Sequence, residues 1–369
     1  MEQWQTPFER DSQTTATYQE VVDYYEKLAR AYPQMRLTRF GTSDSGHPLQ
    51  VAVLAADGGF SPEAARSEGK AILLVNNGIH PGEPCGIDAS MMWVRDILKN
   101  PDCLEDLTIL VIPLYNIGGA LNRTSFSRAN QNGPRAYGFR GNAKNLDLNR
   151  DFVKCDSRNA RAFNRLYQHW NPDVFVDTHT SNGADYQYTM TLIPSQPDKL
   201  EAPLRDYMRD QFMPQLYDGM ETRGWPMSPY VYARSTPDNG IYGFLDLPRY
   251  SSGYAALYHA LSFVPEAHMF KPWPDRVRST YTLMQVFVDV MRRERQNIRQ
   301  AREKALARAM GKEEFPLSWV LNSERADSIA FLGYEAGYKS SEVTGRSRLY
   351  YDRDKPFEKT IPYFAYYRA

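Results

Sequence analysis

Two side chains that can bind a metal ion, His80 and Glu83, lie three positions apart in the segment HPGEP. The apolar run over 71–75 predicts a buried strand before them, and an amphipathic pattern after Pro84 predicts a helix. In open α/β sheets ligands bind beyond the carboxyl ends of strands, and this break between strand and helix lies at such an end. Imidazole and carboxylate are both zinc ligands, so the pair is a candidate part of a zinc site.

Two later segments repeat this pattern. Residues 173–177 predict a strand that leads to His179, and residues 260–264 predict a strand that leads to Glu266. Two histidines and one glutamate form a catalytic zinc set that leaves a fourth position for water, and Glu266 then remains as a general base. Polar residues that only end strands are the alternative, but Ser, Gly or Asn would serve that purpose better. The predicted ligands of one Zn²⁺ per chain are therefore His80, Glu83 and His179.

The order of these residues resembles the zinc carboxypeptidases of the carboxypeptidase A type, including bacterial members. That family carries H-x-x-E, an Asn-Arg pair, a later His and a distant Glu. The matching residues here are His80 and Glu83, Asn149-Arg150 within NLDLNRDF, His179 and Glu266. The resemblance covers roughly residues 15–290. It implies a zinc metallocarboxypeptidase with an α/β fold, in which a mixed, twisted central sheet carries helices on both faces.

The resemblance also implies roles for residues between the first and second histidine. Arg150, assisted by Asn149, would hold the substrate's C-terminal carboxylate, because a guanidinium pairs with a carboxylate through two parallel hydrogen bonds. Asp147 resembles the carboxylate that orients the first zinc-binding histidine. Arg140 lies nine residues before Asn149 and matches the arginine that polarises the substrate, with Arg128 as the alternative.

A turn-rich segment over 235–252 lies shortly before the Glu266 strand. The family places a mobile tyrosine that contacts substrate, and its specificity residue, in this part of the chain. Tyr242 is the first candidate for that tyrosine and Tyr250 the second, although the chain has 25 tyrosines and a packing role suits either. Arg249 in the specificity pocket would favour an acidic or polar C-terminal residue.

The pattern along the chain predicts a catalytic domain over 1–300, followed by a helical connector and a small β-rich segment over 301–369. The irregular stretch 116–147 is long for a loop in a compact domain, and such loops are usually functional. A helix is predicted over 275–310, and its charged second half indicates an exposed connector. The last sixty residues contain short, aromatic segments that are typical of strands.

Composition excludes several classes of partner. The chain has 44 basic and 44 acidic residues, so its charge does not indicate nucleic acid or an anionic membrane. No apolar run is long enough to span a bilayer. The three cysteines lack metal-knuckle spacing, and Cys85 is expected to be a packing residue. The predicted partner is a peptide or amide with a free C-terminal carboxylate. The N-terminal sequence has no signal segment, and the resemblance to often-exported bacterial proteins favours an exported mature form over a cytoplasmic one.

Two other functions remain open at this point. The same fold and ligands serve amidohydrolases that cleave N-acyl amino acids or peptidoglycan stem peptides. A binding module that has lost catalysis is the second alternative, but a pseudoenzyme usually lacks the base or a ligand. A small deep pocket would favour the amidohydrolase, whereas a carboxylate clamp that closes an extended cleft would favour a peptidase.

Overall fold

The chain alternates strands and helices as far as residue 310 and ends in strands, in a computed structural model that describes residues 4–369. The strands are β1 Met35–Thr42, β2 Pro48–Leu54, β3 Ala71–Asn76, β4 Leu107–Ile112, β5 Val174–Asp177, β6 His179–Ser181, β7 Met190–Pro194, β8 Met227–Pro229, β9 Ile241–Tyr242, β10 Leu261–His268, β11 Val320–Leu321, β12 Asp327–Ser340, β13 Ser347–Phe364 and β14 Tyr367–Arg368. The α-helices are α1 Pro7–Arg10, α2 Tyr18–Ala31, α3 Pro62–Ser67, α4 Cys85–Lys99, α5 Ile117–Leu121, α6 Arg158–Trp170, α7 Ala202–Tyr207, α8 Met213–Glu221, α9 Ser251–Ala256 and α10 Trp273–Met310.

A mixed sheet forms the centre of the fold. Its strand order is β1-β2-β4-β3-β5-β10-β7-β8, and β6 also pairs with β10. The four central strands β4, β3, β5 and β10 are parallel, whereas β1, β2 and β7 add antiparallel pairs on either side. Every residue of β3 and β4 is buried, which explains their continuous apolar sequence. The predicted fold class, a mixed α/β sheet with packed helices, is confirmed.

The parallel centre of the sheet determines where the functional side chains meet. Strands β3, β5 and β10 are neighbours and run in the same direction, so their carboxyl ends lie at one edge. The third strand is longer than the sequence predicts, because β10 continues through Pro265 to His268. Glu266 therefore lies within the strand, and its register partner on β6 is His179.

Helix α10 extends over 38 residues and crosses the predicted domain boundary at residue 300 without a break. Its charged second half is not a fully exposed connector, since Ile298, Ala301 and Ala305 are buried. Arg302, on the same part of the helix, contacts Asp173 at the start of the strand that leads to the site. The prediction of an exposed connector rested on the charged residues alone. It overlooked the stripe of apolar residues that lies between them and forms the buried face. The division into two domains stays a prediction.

Strands β12 and β13 form a long antiparallel hairpin near the C-terminal end of the chain. The end of β13 pairs in parallel with the short strand β9, which belongs to the turn-rich segment. A second hydrophobic cluster, separate from the main core, consists of Tyr186, Tyr188, Ile241, Phe331 and Ile361. The hairpin is thus fixed at its base to the segment before β7 and to β9.

Among the described residues, no helix is both long and apolar enough to cross a membrane. The longest helix, α10, carries charged residues along its second half. Export of the mature protein stays a prediction.

Candidate metal centre and active site

The break between β3 and α4 brings the first two predicted ligands together. The backbone N–H of Glu83 donates to the carbonyl of His80 at 2.8 Å, which closes a tight turn. Oε1 of Glu83 lies 3.3 Å from Nδ1 of His80, and both side chains are about 97% buried. Pro84 then begins the helix, and Cys85 in its first turn is buried, as its expected packing role requires.

His179 completes the group from the neighbouring strand. Its Nδ1 lies 3.0 Å from Oε2 of Glu83, so the two histidines contact opposite oxygens of one carboxylate. The ring centroids of His80 and His179 are 4.9 Å apart. One ligand atom from each of the three residues lies within 4.8 Å of the others.

Each histidine is held by a second carboxylate on its other nitrogen. Oδ1 of Asp147 lies 2.9 Å from Nε2 of His80, and Oδ2 of Asp177 lies 3.0 Å from Nε2 of His179. Such partners fix the tautomer and leave the lone pair of Nδ1 facing the site. Asp147 was expected from the sequence, whereas Asp177 was missed. The sequence did hold a signal for Asp177. In the segment DTHT this carboxylate lies two positions before the histidine, at the end of the buried strand, so both side chains point to the same side.

These residues fit Zn²⁺. Tetrahedral ligands at about 2.0–2.1 Å from zinc lie roughly 3.3 Å from one another. The two donor separations of 3.3 Å and 3.0 Å around Glu83 match that spacing. Two imidazoles and one carboxylate form the donor set of a class of catalytic zinc enzymes.

Neighbouring charges shift the pKa values of two site residues, Glu83 and His179, against the effect of burial. Burial by itself raises the pKa of Glu83, but Arg128 and His80 outweigh it and hold that pKa well below its usual value. Burial lowers the pKa of His179, but Asp177 and Glu83 outweigh it and hold the pKa well above the usual value. Glu266 differs, because burial raises its pKa to about 8. His179 opposes this rise, whereas Glu83 adds to it. Neighbouring charges therefore hold Glu83 in its ionised form, whereas the pKa of Glu266 is raised.

A cavity of about 250 Å³ collects most of the predicted site residues. Its lining includes the three candidate ligands, Glu266, and four of the residues assigned to substrate. Those four are Arg140, Asn149, Arg150 and Tyr250. Tyr230 also lines the cavity and was missed, because nothing in its local sequence separates it from the other tyrosines.

Two arginines reach the carboxylate of Glu83. Arg128 donates to Oε1 at 2.5 Å and to the carbonyl of Thr180 at 3.0 Å. Arg140 donates to the same oxygen at 3.3 Å, and its guanidinium also pairs with Asp147. The Arg128 side chain is 15% exposed and that of Arg140 is 43% exposed. Both candidates for the substrate-polarising arginine therefore lie at the site, and the assignment to Arg140 stays a prediction.

Within residues 4–369, the carboxylate nearest to Arg150 is that of Asp147, whose Oδ2 lies 3.9 Å from Nη1 of the arginine. Its guanidinium sits 4.5 Å from the ring centroid of Tyr250, and its Nη1 donates to the carbonyl of Asn149. The side-chain oxygen of Asn149 accepts the backbone N–H of Ser251 at 3.1 Å, which ties this segment to the start of α9. Arg150 thus keeps donors for a ligand in the cavity.

Two predicted substrate residues lie outside this cavity. The ring of Tyr242 stacks on Phe364 at 5.1 Å, and Tyr242 lines a smaller neighbouring cavity. Arg249 donates to the hydroxyl of Tyr250 and does not line the catalytic cavity. Of the two tyrosines weighed from the sequence, the structure brings Tyr250 to the site and Tyr242 to the base of the hairpin.

Gly86 allows the helix to approach the site closely. A Cβ at this position would overlap Oγ1 of Thr178 and lie 2.5 Å from Oδ1 of Asn77. We expect Gly86→Ala to lower the free energy of unfolding by about 1–3 kcal/mol, the usual cost of overpacking. Urea unfolding monitored by circular dichroism measures the loss.

Gly311→Ala is the matched control, because its nearest neighbour would be 3.7 Å away, in ordinary contact. Surface substitutions of this kind change stability by within about 0.5 kcal/mol. Equal stability of Gly86→Ala and wild type would show that α4 does not need this close approach.

Comparisons with known proteins agree with this geometry. Residues 21–193 match the family model of the zinc carboxypeptidases. None of the curated proteins compared with the chain matches it. Among solved structures, a putative carboxypeptidase A from Shewanella denitrificans aligns with a TM-score of 0.56 at 14% identity, over 77% of this chain and 70% of the other.

Two further solved structures share the fold. A metallo-carboxypeptidase from Pseudomonas aeruginosa, in complex with (2-guanidinoethylmercapto)succinic acid, aligns with a TM-score of 0.54 at 16% identity over 77% of this chain and 70% of the other. Carboxypeptidase A from Helicoverpa armigera aligns with a TM-score of 0.55 at 14% identity over 80% and 75%. At such identities the structures establish the fold, and the family match adds the class of enzyme. The match over residues 21–193 identifies a zinc carboxypeptidase domain in this part of the chain, and that family consists of zinc-dependent peptide-bond hydrolases.

Proposed function

We propose that this site removes the C-terminal residue of peptides, with one Zn²⁺ per chain held by His80, Glu83 and His179. The observation that carries the proposal is the composition of one cavity, in which the candidate ligands, Glu266 and Arg150 lie together. A free C-terminal carboxylate is the feature of a peptide that an arginine in this position recognises. In this proposal Arg150 binds the C-terminal carboxylate of the peptide, and Glu266 is the base that accepts a proton from the attacking water.

Zn²⁺ bound there would supply a Lewis acid that polarises the scissile carbonyl and lowers the pKa of water to about 7. Glu266 lines the same cavity and is next to His179 across the sheet. Its carboxylate takes the proton of the attacking water and then delivers it to the leaving amine. A pKa above the usual value favours this role, because the base must also become an acid during the reaction.

Arg140 stabilises the negative charge that develops on the carbonyl oxygen. A guanidinium at such a position acts where charge appears in the transition state, and the loss of one donor typically costs about 10²–10³ in rate. Arg128 is more enclosed and ties the Glu83 carboxylate to the backbone of Thr180. This arrangement favours a positioning role for Arg128 and leaves Arg140, the more exposed guanidinium, for the substrate.

Arg150 and Asn149 bind the terminal carboxylate, and Tyr250 supports the arginine by stacking. Arg249 does not line the cavity, and its role in recognising the C-terminal residue stays a prediction. An adjoining cleft of about 1010 Å³ shares Arg128, Arg140 and Asn182 with the catalytic cavity. An extended cleft favours a peptidase over an amidohydrolase of small acyl amino acids, and the complete set of ligands and base argues against an inactive binding module.

The test of this proposal combines Arg150→Ala with amidated substrates. Amidation removes the terminal charge and its charge-assisted hydrogen bonds, each worth roughly 1.5–3 kcal/mol. Wild-type enzyme should therefore lose about 10-fold to 100-fold in kcat/KM on amidated peptides. Arg150→Ala should be slow on both substrates and should barely distinguish them.

Arg161→Ala is the control, since this arginine is exposed on α6 and lies outside the cavity. It should discriminate as the wild type does. If the wild type cleaves free and amidated peptides equally well, Arg150 is not a carboxylate clamp, and an endopeptidase or amidohydrolase replaces the proposal.

A further inference from the structure

The C-terminal hairpin and the catalytic domain enclose the second, larger cleft. Its walls come from the loop around Arg128, from the segment after β6 that includes Asn182 and Asp185, and from β12 and β13. Arg128, Arg140 and Asn182 line both this cleft and the catalytic cavity, so the two spaces adjoin. The hairpin therefore contributes to the approach to the active site.

The lining of this cleft is strongly cationic. Its charged residues are the cations Arg128, Arg140, Lys339, Arg348 and Arg353 and the single carboxylate Asp185. Asp185 is already engaged, because Arg353 pairs with it at 2.7 Å and Lys271 at 3.4 Å. Arg128 and Arg140 are paired with Glu83 and Asp147, so the uncompensated positive charge of the cleft comes from Lys339 and Arg348.

Two of these cations oppose each other on the hairpin. Lys339 of β12 and Arg348 of β13 are direct register partners, and like charges in such positions destabilise a strand pair. Neither side chain has a carboxylate partner in the part of the chain that the structure describes. Nζ of Lys339 lies 5.3 Å from the ring centroid of Tyr350, which also lines the cleft. This pair is a site at which an anionic ligand would relieve repulsion.

We propose that the cleft binds the part of the peptide substrate upstream of the scissile bond and selects segments rich in aspartate and glutamate. The inference rests on the proposed carboxypeptidase activity, in which one residue lies beyond the scissile bond and the rest of the peptide extends out of the catalytic cavity. The proposed clamp residues Asn149, Arg150 and Tyr250 line only the catalytic cavity. A cationic cleft concentrates an acidic chain and steers its approach.

The test uses two peptides that share their last two residues and differ upstream, with three glutamates in one and three glutamines in the other. At low ionic strength the wild type should show a kcat/KM about 10-fold higher on the glutamate peptide, carried by KM, since exposed ion pairs are individually weak but add together. The ratio should fall towards one in Lys339→Glu/Arg348→Glu and in the milder Lys339→Gln/Arg348→Gln. Salt near 0.5 M should reduce it in the wild type through screening, with a Debye length of about 4 Å.

Lys355→Glu is the matched control, because Lys355 lies on β13 and lines neither cavity. It changes the net charge by two units, as Lys339→Gln/Arg348→Gln does, and should keep the wild-type ratio. Circular dichroism confirms that the variants fold.

A binding measurement separates this inference from the activity itself. Fluorescence anisotropy of a labelled glutamate peptide needs no turnover, and the double glutamate variant should bind about 10-fold more weakly. Failure to cleave any peptide would refute the proposed function, while the anisotropy would still decide on the cleft. Equal binding of glutamate and glutamine peptides, an unchanged ratio in both double variants, or tighter binding of a single-stranded oligonucleotide would overturn the inference.

Discussion

Glu266→Gln is expected to retain zinc while kcat falls by about 10²-fold or more, the usual size of a general-base effect. The substitution keeps the shape of the side chain within β10 and removes its ability to accept a proton. Its neighbours across the sheet, His179 and Thr191, keep their register partner. Turnover of a dipeptide substrate and metal analysis of the same preparation measure the two properties.

The control for this variant is Glu313→Gln, an exposed glutamate beyond the end of α10. It should have wild-type turnover and zinc content. Wild-type turnover in Glu266→Gln would exclude Glu266 as the base, whereas loss of zinc would place it among the ligands instead.

His179→Ala is expected to lose most of the bound zinc and, with it, activity. Three protein ligands hold a catalytic zinc ion, so removal of one leaves only His80 and Glu83. It also leaves Asp177 without the imidazole that it contacts at 3.0 Å in a fully buried site. Zinc content after dialysis, measured by inductively coupled plasma mass spectrometry, should be about one per chain in the wild type.

His169→Ala separates this effect from a general loss of fold, because His169 is exposed on α6, beside Trp170. Its zinc content should equal that of the wild type. A His179→Ala variant with full zinc occupancy would disprove the ligand assignment.

The sequence predicted those parts of the site that depend on residues close in the chain or at the ends of apolar strands. His80 and Glu83 belong to one turn, and the short apolar runs at β3 and β4, bounded by turn residues, are consistent with buried strands. His179 followed from the same pattern, since parallel strands bring their carboxyl ends to one edge. The family resemblance and the α/β fold class that rested on these patterns are confirmed.

Features that depend on long-range packing were not visible in the sequence. Tyr242 and Tyr250 are eight residues apart in one turn-rich segment, and only the pairing of β9 with β13 takes Tyr242 away from the cavity. The buried face of α10 depends on which of its sides meets the domain, and the charged residues around Ala301 and Ala305 concealed it. The cationic cleft requires a loop near residue 128 and a hairpin near residue 348 to line the same space, which no local pattern indicates.

The most direct test of the central claim is the identity of the products that zinc-loaded enzyme releases from an unblocked peptide. Mass spectrometry at successive times should show free amino acids leaving one at a time from the C-terminus, with the N-terminal part intact. Addition of a chelator should stop the reaction, and zinc should restore it, because the ion is part of the site. Internal fragments, or release from amidated peptides at the same rate, would contradict a carboxypeptidase with Arg150 as its carboxylate clamp.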